Sequence, residues 1–209
     1  KAGYEVIVPD FQCCGVPLVA NGFFDEAKAA AEANLAALVP HVASGDVPVL
    51  TVCPSCQLML KQEYGEFFPD APGLSAVVPH VQDACEFLIG LLESGELELD
   101  LREDATKLIY HAPCHLRAQG TGKPGLELLR MAEAHVEDAR AGCCGISGSY
   151  GFKKEKYDVA ATVGAELFQA VKDSGAARCV TDCGTCRIQI SHHTGVPSLH
   201  PISWLRGLM

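Results

Sequence analysis

Nine of the eleven cysteines in this chain stand at spacings that are typical of metal ligands. Two adjacent cysteines followed by glycine occur at 13–15 and again at 143–145, and a C-x-x-C follows each pair at 53–56 and 183–186. A further cysteine, Cys114, precedes the second pair. Cysteine thiolates bind zinc ions and iron–sulfur clusters. The candidate cofactor and metal ligands are Cys13, Cys14, Cys53, Cys56, Cys114, Cys143, Cys144, Cys183 and Cys186.

The adjacent pairs favour a cofactor larger than one ion. Neighbouring side chains of an extended segment point in opposite directions, so two adjacent sulfurs do not readily bind one ion, whereas they can reach different irons of one cluster. A disulfide within the pair would need a strained ring and would leave the C-x-x-C unexplained. The second half offers five sulfurs, one more than a regular four-iron cluster or a structural zinc site uses. This number favours an irregular iron–sulfur cluster.

The chain is duplicated internally at an offset of 130 residues. Cys13 and Cys14 then coincide with Cys143 and Cys144, and the two C-x-x-C segments coincide as well. Such a fixed spacing predicts two modules of similar structure. The position equivalent to Cys114 would precede residue 1, so we expect the first module to be N-terminally truncated, with its fifth ligand upstream.

Strand-like and helix-like segments alternate in both halves. This alternation predicts an α/β fold: two pseudo-symmetric modules of parallel β/α units, with the cysteines at the C-terminal ends of strands, where open α/β sheets place their sites. The predicted strands are 4–8, 47–52, 107–111 and 177–182, and the predicted helices are 23–42, 55–68, 82–92, 154–175 and 184–195. The stretch 70–77 is predicted to be a surface connection.

Composition predicts the domain boundaries and the cellular setting. We expect a first module at 1–92, an acidic connecting segment at 93–104 and a second module at 105–209. The net charge of −10 argues against nucleic acid as a partner, and no apolar run is long enough for a transmembrane helix. Cysteines used as ligands, with no sign of secretion, indicate a reducing, cytoplasmic compartment.

The remaining cysteines and two histidines are expected to be structural. Cys85 lies in a predicted helix and Cys179 in a predicted strand, where buried cysteine behaves as a small apolar residue. His80 and His200 follow the two C-x-x-C segments, and structural roles are favoured over ligation for both.

Three further residues are candidates for roles beside the second cysteine set. His111 and His115 flank Cys114 and could donate hydrogen bonds to a cluster or carry protons, although packing or solvation would equally explain them. Lys153 follows the second Cys-Cys-Gly closely and could offset cluster charge or bind a partner, although a solvated helix start is the simpler interpretation.

These motifs resemble the CCG-domain iron–sulfur proteins, a family that includes one of the subunits of heterodisulfide reductase. Within it, "QCCGVPLVANGF", "YHAPCH" and "CCGISGSYGFKKEKY" are similar to the C-terminal part of the iron–sulfur subunits of anaerobic glycerol-3-phosphate dehydrogenases. The resemblance covers nearly the whole chain. It implies one four-iron cluster per module, of the noncubane type in the heterodisulfide reductase relative, with zinc as the alternative in the first module.

The resemblance also implies a role in electron transfer. It suggests a flavoprotein dehydrogenase that oxidises glycerol 3-phosphate or a 2-hydroxy acid such as glycolate or lactate, a ferredoxin-like domain or subunit, and a membrane quinone as acceptor. The expected location is the cytoplasm, at the inner face of the cell membrane. The alternatives are a thiol–disulfide reductase and a zinc-stabilised structural or interaction module.

Overall fold

The computed structural model describes residues 3–43, 45 and 47–209. The chain folds into two compact units, 1–84 and 85–209. Parallel strands form a sheet in each unit, which confirms the predicted α/β class. The predicted boundaries at 92 and 104 remain a prediction about domains.

The first unit contains a short parallel sheet covered by helices. Strand β1 (Val49–Thr51) pairs with β2 (Val81–Asp83). The helices of this unit are α1 (Val16–Val19), α2 (Phe24–Val42), α3 (Pro54–Leu58), a π-helical turn (Met59–Glu63), α4 (Tyr64–Phe67), α5 (Leu74–Val77) and a 3₁₀ turn (Val78–His80).

Helix α2 provides one side of the core of the first unit. Its sequence is rich in alanine, the best helix former, and Ala27, Ala31, Leu35 and Leu38 recur every three to four residues on its buried face. The stretch 70–77, predicted to be a surface connection, includes α5, and its Val77 is fully buried. That prediction was wrong because the apolar residues of this stretch complete the core.

The predicted strand at 4–8 is not formed. Residues 4–14 have no regular structure, and Val6 and Val8 are 80% and 86% exposed. At the 130-residue offset, 6–8 correspond to strand β4 of the second unit (Val136–Asp138), which is held by pairing with a neighbouring strand. Among the described residues of the first unit, β1 and β2 pair only with each other, and the extended segment joins neither of them.

The second unit is built on a fully parallel sheet with the strand order β4-β3-β5-β6. Strand β3 (Leu108–Tyr110) lies between β4 and β5 (Arg178–Val180), and β6 (Ser198–Leu199) is at the edge. The helices are α6 (Ala84–Ser94), α7 (Cys114–Gln119), α8 (Pro124–Met131), 3₁₀ turns at Tyr150–Phe152 and Lys154–Lys156, α9 (Tyr157–Asp173), α10 (Gly184–Thr194) and α11 (Pro201–Leu208).

Helix α6 packs into the second core, although the sequence placed most of it in the first module. Cys85 and Ile89 of this helix are buried in one cluster with Leu108 of β3 and Trp204 of α11. Apolar packing therefore attaches α6 to the unit that follows it. None of the helices in the described part of the chain is both long and apolar enough to cross a membrane.

Candidate metal centre

The second unit brings five sulfurs together from three separate segments. Cys114 is the first residue of α7, Cys143 and Cys144 lie in the loop after β4, and Cys183 and Cys186 begin α10. The sulfurs of Cys144 and Cys186 are 3.1 Å apart. The three segments can converge in this way because each follows the C-terminal end of a strand, on the same side of a parallel sheet.

Neighbouring sulfurs of this set are hydrogen-bonded to each other, and these bonds shift the pKa values of the thiols. A hydrogen bond donated by Cys114 lowers the pKa of Cys143 well below its usual range, and further bonds come from Cys144 and from the backbone N–H of Gly145, whose nitrogen is 3.3 Å from the Cys143 sulfur. The same contact raises the pKa of Cys114.

The contacts continue to the C-x-x-C. Hydrogen bonding to Cys144 and to Cys183 raises the pKa of Cys186 well above its ordinary value. Cys144, Cys183 and Cys186 are all at most 5% exposed. The five sulfurs thus form one connected set, which leads from Cys114 through the adjacent pair to the C-x-x-C.

The first unit repeats this arrangement with four sulfurs. A hydrogen bond from Cys56 lowers the pKa of Cys14 to about 7, with a smaller contribution from Cys13. The pKa of Cys56 is raised by its bonds to Cys14 and then to Cys53. Cys14 is buried and Cys13 is exposed. The two C-x-x-C segments also match, because Cys53 and Cys183 are both extended residues immediately before a helix.

The glycine of each Cys-Cys-Gly motif has a conformational cause. Gly15 and Gly145 have φ angles of 97° and 83°, in the left-handed region that other residues rarely adopt. In the second unit there is also no room for a side chain at this position, because a Cβ on Gly145 would collide with the carbonyl oxygen of Ala160 in α9. The motif therefore turns the chain sharply just after the two sulfurs.

The donor set fits a polynuclear iron–sulfur centre. Five connected thiols exceed the four ligands of a structural zinc site, and thiolates are the protein ligands that such clusters use. The residue after each C-x-x-C also carries a buried nitrogen with no partner in the described structure, Nε2 of Gln57 and Nε of Arg187. Hydrogen bonds to cluster sulfurs commonly satisfy donors of this kind. The four sulfurs of the first unit would also suit zinc.

The three residues predicted beside the second set differ in their surroundings. His111 is 1% exposed, and burial, with a smaller effect of the Arg117 guanidinium, lowers its pKa to about 4. The charges of Cys143 and Cys183 act on His111 in the opposite direction, so it lies near the sulfurs. His115 is half-buried in α7, and Lys153 is exposed between the two 3₁₀ turns.

One cluster of polar side chains was missed by the sequence reasoning. Ligand-type atoms of Cys85, Asp182 and His200 lie within 4.8 Å of one another, and all three residues are buried. The Tyr110 hydroxyl donates to the Asp182 carboxylate. Nδ1 of His200 accepts the N–H of Ile202, so the proton of the neutral ring is on Nε2, which favours hydrogen bonding over metal ligation. The only sequence signal is that Asp182 precedes Cys183.

Comparison with known families identifies the family to which these cysteine-containing loops belong. The cysteine-rich domain family designated CCG matches residues 1–61 and 108–191, which include all nine candidate ligands. The chain belongs to the CCG family. The two matched segments correspond to the two halves of the duplication, so the CCG protein consists of two copies of one cysteine-rich module.

This CCG protein is similar to subunits of two oxidoreductases and to a lactate utilization protein. It is 40% identical over 198 residues to a subunit of the anaerobic glycerol-3-phosphate dehydrogenase of Escherichia coli K12. This alignment covers 93% of this chain and 48% of the relative. It is 29% identical over 199 residues to a subunit of the fumarate reductase (CoM/CoB) of Methanothermobacter marburgensis, covering 90% and 36%. It is 27% identical over 194 residues to "lactate utilization protein A" of Bacillus velezensis, covering 88% and 77%. The chain thus spans half or less of the length of the first two relatives.

Proposed function

We propose that this CCG protein is an iron–sulfur electron-transfer subunit that receives electrons from a flavoprotein dehydrogenase and delivers them toward a membrane quinone. The observation that carries the proposal is the connected set of five sulfurs in the second unit. Glycerol 3-phosphate is the favoured substrate of the partner enzyme, by similarity to the glycerol-3-phosphate dehydrogenase relative. A 2-hydroxy acid such as lactate is the second choice.

The nine cysteines would hold one four-iron cluster in each module. When bound, such a cluster accepts and donates single electrons. The chain itself supplies negative charge from thiolates, and it supplies hydrogen-bond donors that offset that charge, such as the N–H of Gly145 on the Cys143 sulfur. Burial of Cys144 and Cys186 keeps water away from the inner side of the set.

A surface beside the second Cys-Cys-Gly loop suits a protein partner. Tyr150 and Phe152 are 38% and 54% exposed, and Lys153 and Lys154 follow them on the same exposed segment. Exposed aromatic rings next to positive charge are typical of contact surfaces for acidic partners. This surface would place the partner close to the second sulfur set. The partner is the flavoprotein or a ferredoxin-like domain, and the complex would lie in the cytoplasm at the inner face of the membrane.

A thiol–disulfide reductase is the alternative with an observation in its favour. The fumarate reductase relative carries CoM and CoB in its name, and the sulfurs of Cys143 and Cys114 share a hydrogen bond, as expected of neighbouring thiols. A zinc-stabilised module remains the alternative from another class, and the four-sulfur first unit suits it best.

Analysis of iron and acid-labile sulfide tests the proposal directly. We expect protein purified without oxygen to be brown and to contain about four irons per occupied module, with absorption that bleaches on reduction. Zinc without iron in both units would end the electron-transfer proposal and support the structural alternative. Release of thiols from an added disulfide at the rate of electron supply would support the reductase instead.

A further inference from the structure

A cavity of about 270 Å³ in the second unit is lined by more positive than negative charge. Arg117, Lys123 and Arg140 contribute side chains to its wall, and Asp138 is the one acid there. The ammonium group of Lys123 contacts the Asp138 carboxylate. Arg117 and Arg140 take part in no ion pair among the described residues. In a chain with a net charge of −10, three cationic side chains around one carboxylate form an unusual local excess of positive charge.

The loop that carries Arg140 is held in a demanding conformation. Arg140 has a φ of 48°, and a non-glycine residue in this region costs about 1–2 kcal/mol. The Asp138 carboxylate accepts the Arg140 N–H at 3.2 Å, and the Arg117 guanidinium donates to the carbonyl of Ala141 at 3.4 Å. The Arg117 bond ties α7 to the loop after β4 and keeps that guanidinium group at the cavity, and the Asp138 bond fixes the backbone from which the Arg140 side chain leaves.

A buried histidine that lines the cavity has a polar atom without a partner. His111 lines the cavity, is 1% exposed, and its Nε2 has no hydrogen-bond partner in the described structure. Buried nitrogen atoms are nearly always paired in folded proteins, so an unpaired one beside a cavity suggests a group that binds there. Lining residues of the cavity stand next to two ligand segments in the chain, because Ala112 and Ala141 precede Cys114 and Cys143 by two residues each. The cavity is therefore adjacent to the second sulfur set.

We propose that this cavity binds a small oxyanion, a carboxylate or a phosphate ester, through the guanidinium groups of Arg117 and Arg140. Guanidinium groups bind both kinds of oxyanion with two parallel hydrogen bonds. A volume of about 270 Å³ holds about nine water molecules at ~30 Å³ each. It is smaller than the usual pockets for drug-sized ligands, which favours a small anion over a nucleotide. The proposal goes beyond electron transfer and does not depend on the cluster.

Calorimetric titration of the 209-residue chain with inorganic phosphate, and separately with acetate, tests the site. We expect saturable binding at one site per chain. Arg117→Gln and Arg140→Gln should each raise the dissociation constant at least tenfold. Arg130→Gln removes the same charge from an exposed position of α8 outside the cavity and should change it less than twofold. Tighter phosphate binding would assign a phosphate ester, and tighter acetate binding would assign a carboxylate.

Several results would overturn the proposal. One is that neither anion binds saturably to the unaltered chain. Another is that Arg117→Gln and Arg140→Gln leave the dissociation constants unchanged. A third is that Arg130→Gln weakens anion binding as much as they do, which would mean a response to net charge. In protein labelled at histidine with ¹⁵N, phosphate should shift the His111 ring signal, and the shift should disappear in Arg140→Gln. The iron content of the same sample separates this test from that of the electron-transfer role, because the anion should bind even to a sample without iron.

Discussion

The two Cys-Cys-Gly loops have the same turn but are held by their long helices in different ways. In the first unit, Asn34 of α2 is fully buried and accepts the N–H of Gln12 at 2.7 Å, while its amide donates to the carbonyl of Cys13 at 3.2 Å. At the equivalent position in α9 stands Gly164, where a Cβ would lie 2.6 Å from the carbonyl oxygen of Cys144. One loop is fastened by polar bonds, and the other is fastened by direct contact between backbones.

This difference shows what the duplicated module requires. The left-handed glycine and the sulfur positions occur in both halves, whereas the means of attaching the loop to the helix do not. A buried amide tolerates small shifts of the loop because hydrogen bonds vary in length. Backbone contact without side chains tolerates very little. We therefore expect the second loop to be the more rigid of the two.

The largest expected effect tests whether the two sulfur sets act independently. Cys144→Ser should remove about half of the iron, because it breaks the connected set of the second unit and leaves the first intact. Cys14→Ser should remove the other half. Cys179→Ala, which alters a buried strand cysteine outside both sets, is the matched control and should keep all of the iron. Loss of all the iron in either serine variant would contradict two independent modules.

Substitution of the two motif glycines by alanine should destabilise the second unit more than the first. Gly145→Ala combines left-handed strain with a collision against Ala160, and we expect it to lower the free energy of unfolding by about 3–4 kcal/mol. Gly15→Ala has only ordinary contacts, the nearest to Met59 at 3.5 Å, so the strain alone should cost about 1–2 kcal/mol. Denaturant titration measures both. Equal losses would mean that the second loop is no tighter than the first.

Removal of the polar attachment should weaken the first loop alone. Asn34→Ala deletes the bonds to Gln12, Cys13 and the Tyr64 hydroxyl and should lower the free energy of unfolding by about 2–3 kcal/mol. Glu32→Ala, on the exposed face of the same helix, should change it by less than about 0.5 kcal/mol. If Asn34→Ala were as mild as this control, the amide would not hold the loop.

The smallest expected effect concerns the exposed residues that follow each Cys-Cys-Gly loop in the chain. Position 153 is lysine in the second unit, and the equivalent Phe23 of the first unit begins an aromatic and acidic stretch. Lys153→Glu should leave the iron content unchanged and slow electron transfer from the flavoprotein on the order of 3–10-fold, with weaker salt dependence. Lys172→Glu at the other end of α9 is the control. Unchanged stopped-flow rates in Lys153→Glu would refute docking at this surface.

Much of the fold followed from local patterns. The alternation of β-branched runs with alanine-rich helices predicted the α/β class, and the strand predictions at 47–52, 107–111 and 177–182 correspond to β1, β3 and β5. The prediction of a strand at 4–8 was wrong because strand formation depends on a partner segment, which no local pattern reveals. The stretch 70–77 was misjudged because its proline and glycine hid two core residues, Ala71 and Val77, and Leu74, which packs against them.

The sulfur sets were more predictable than their surroundings. Cysteine spacing and duplication identified which sulfurs converge, since the loops after parallel strands have few places to lie. The roles of Asp182 and Tyr110 could not be predicted, because their contact joins residues 72 positions apart. The close approach of α9 to the second loop was equally hidden, because a glycine within a helix does not show what packs against it.

The uncovered segment at the start of the described chain has a practical consequence. Val6 and Val8 are largely exposed in an extended stretch that joins no sheet. Extended apolar segments of this kind readily pair with copies of themselves and promote aggregation. The isolated chain should therefore aggregate increasingly as its concentration rises, and replacement of these two valines by polar residues should reduce the aggregation.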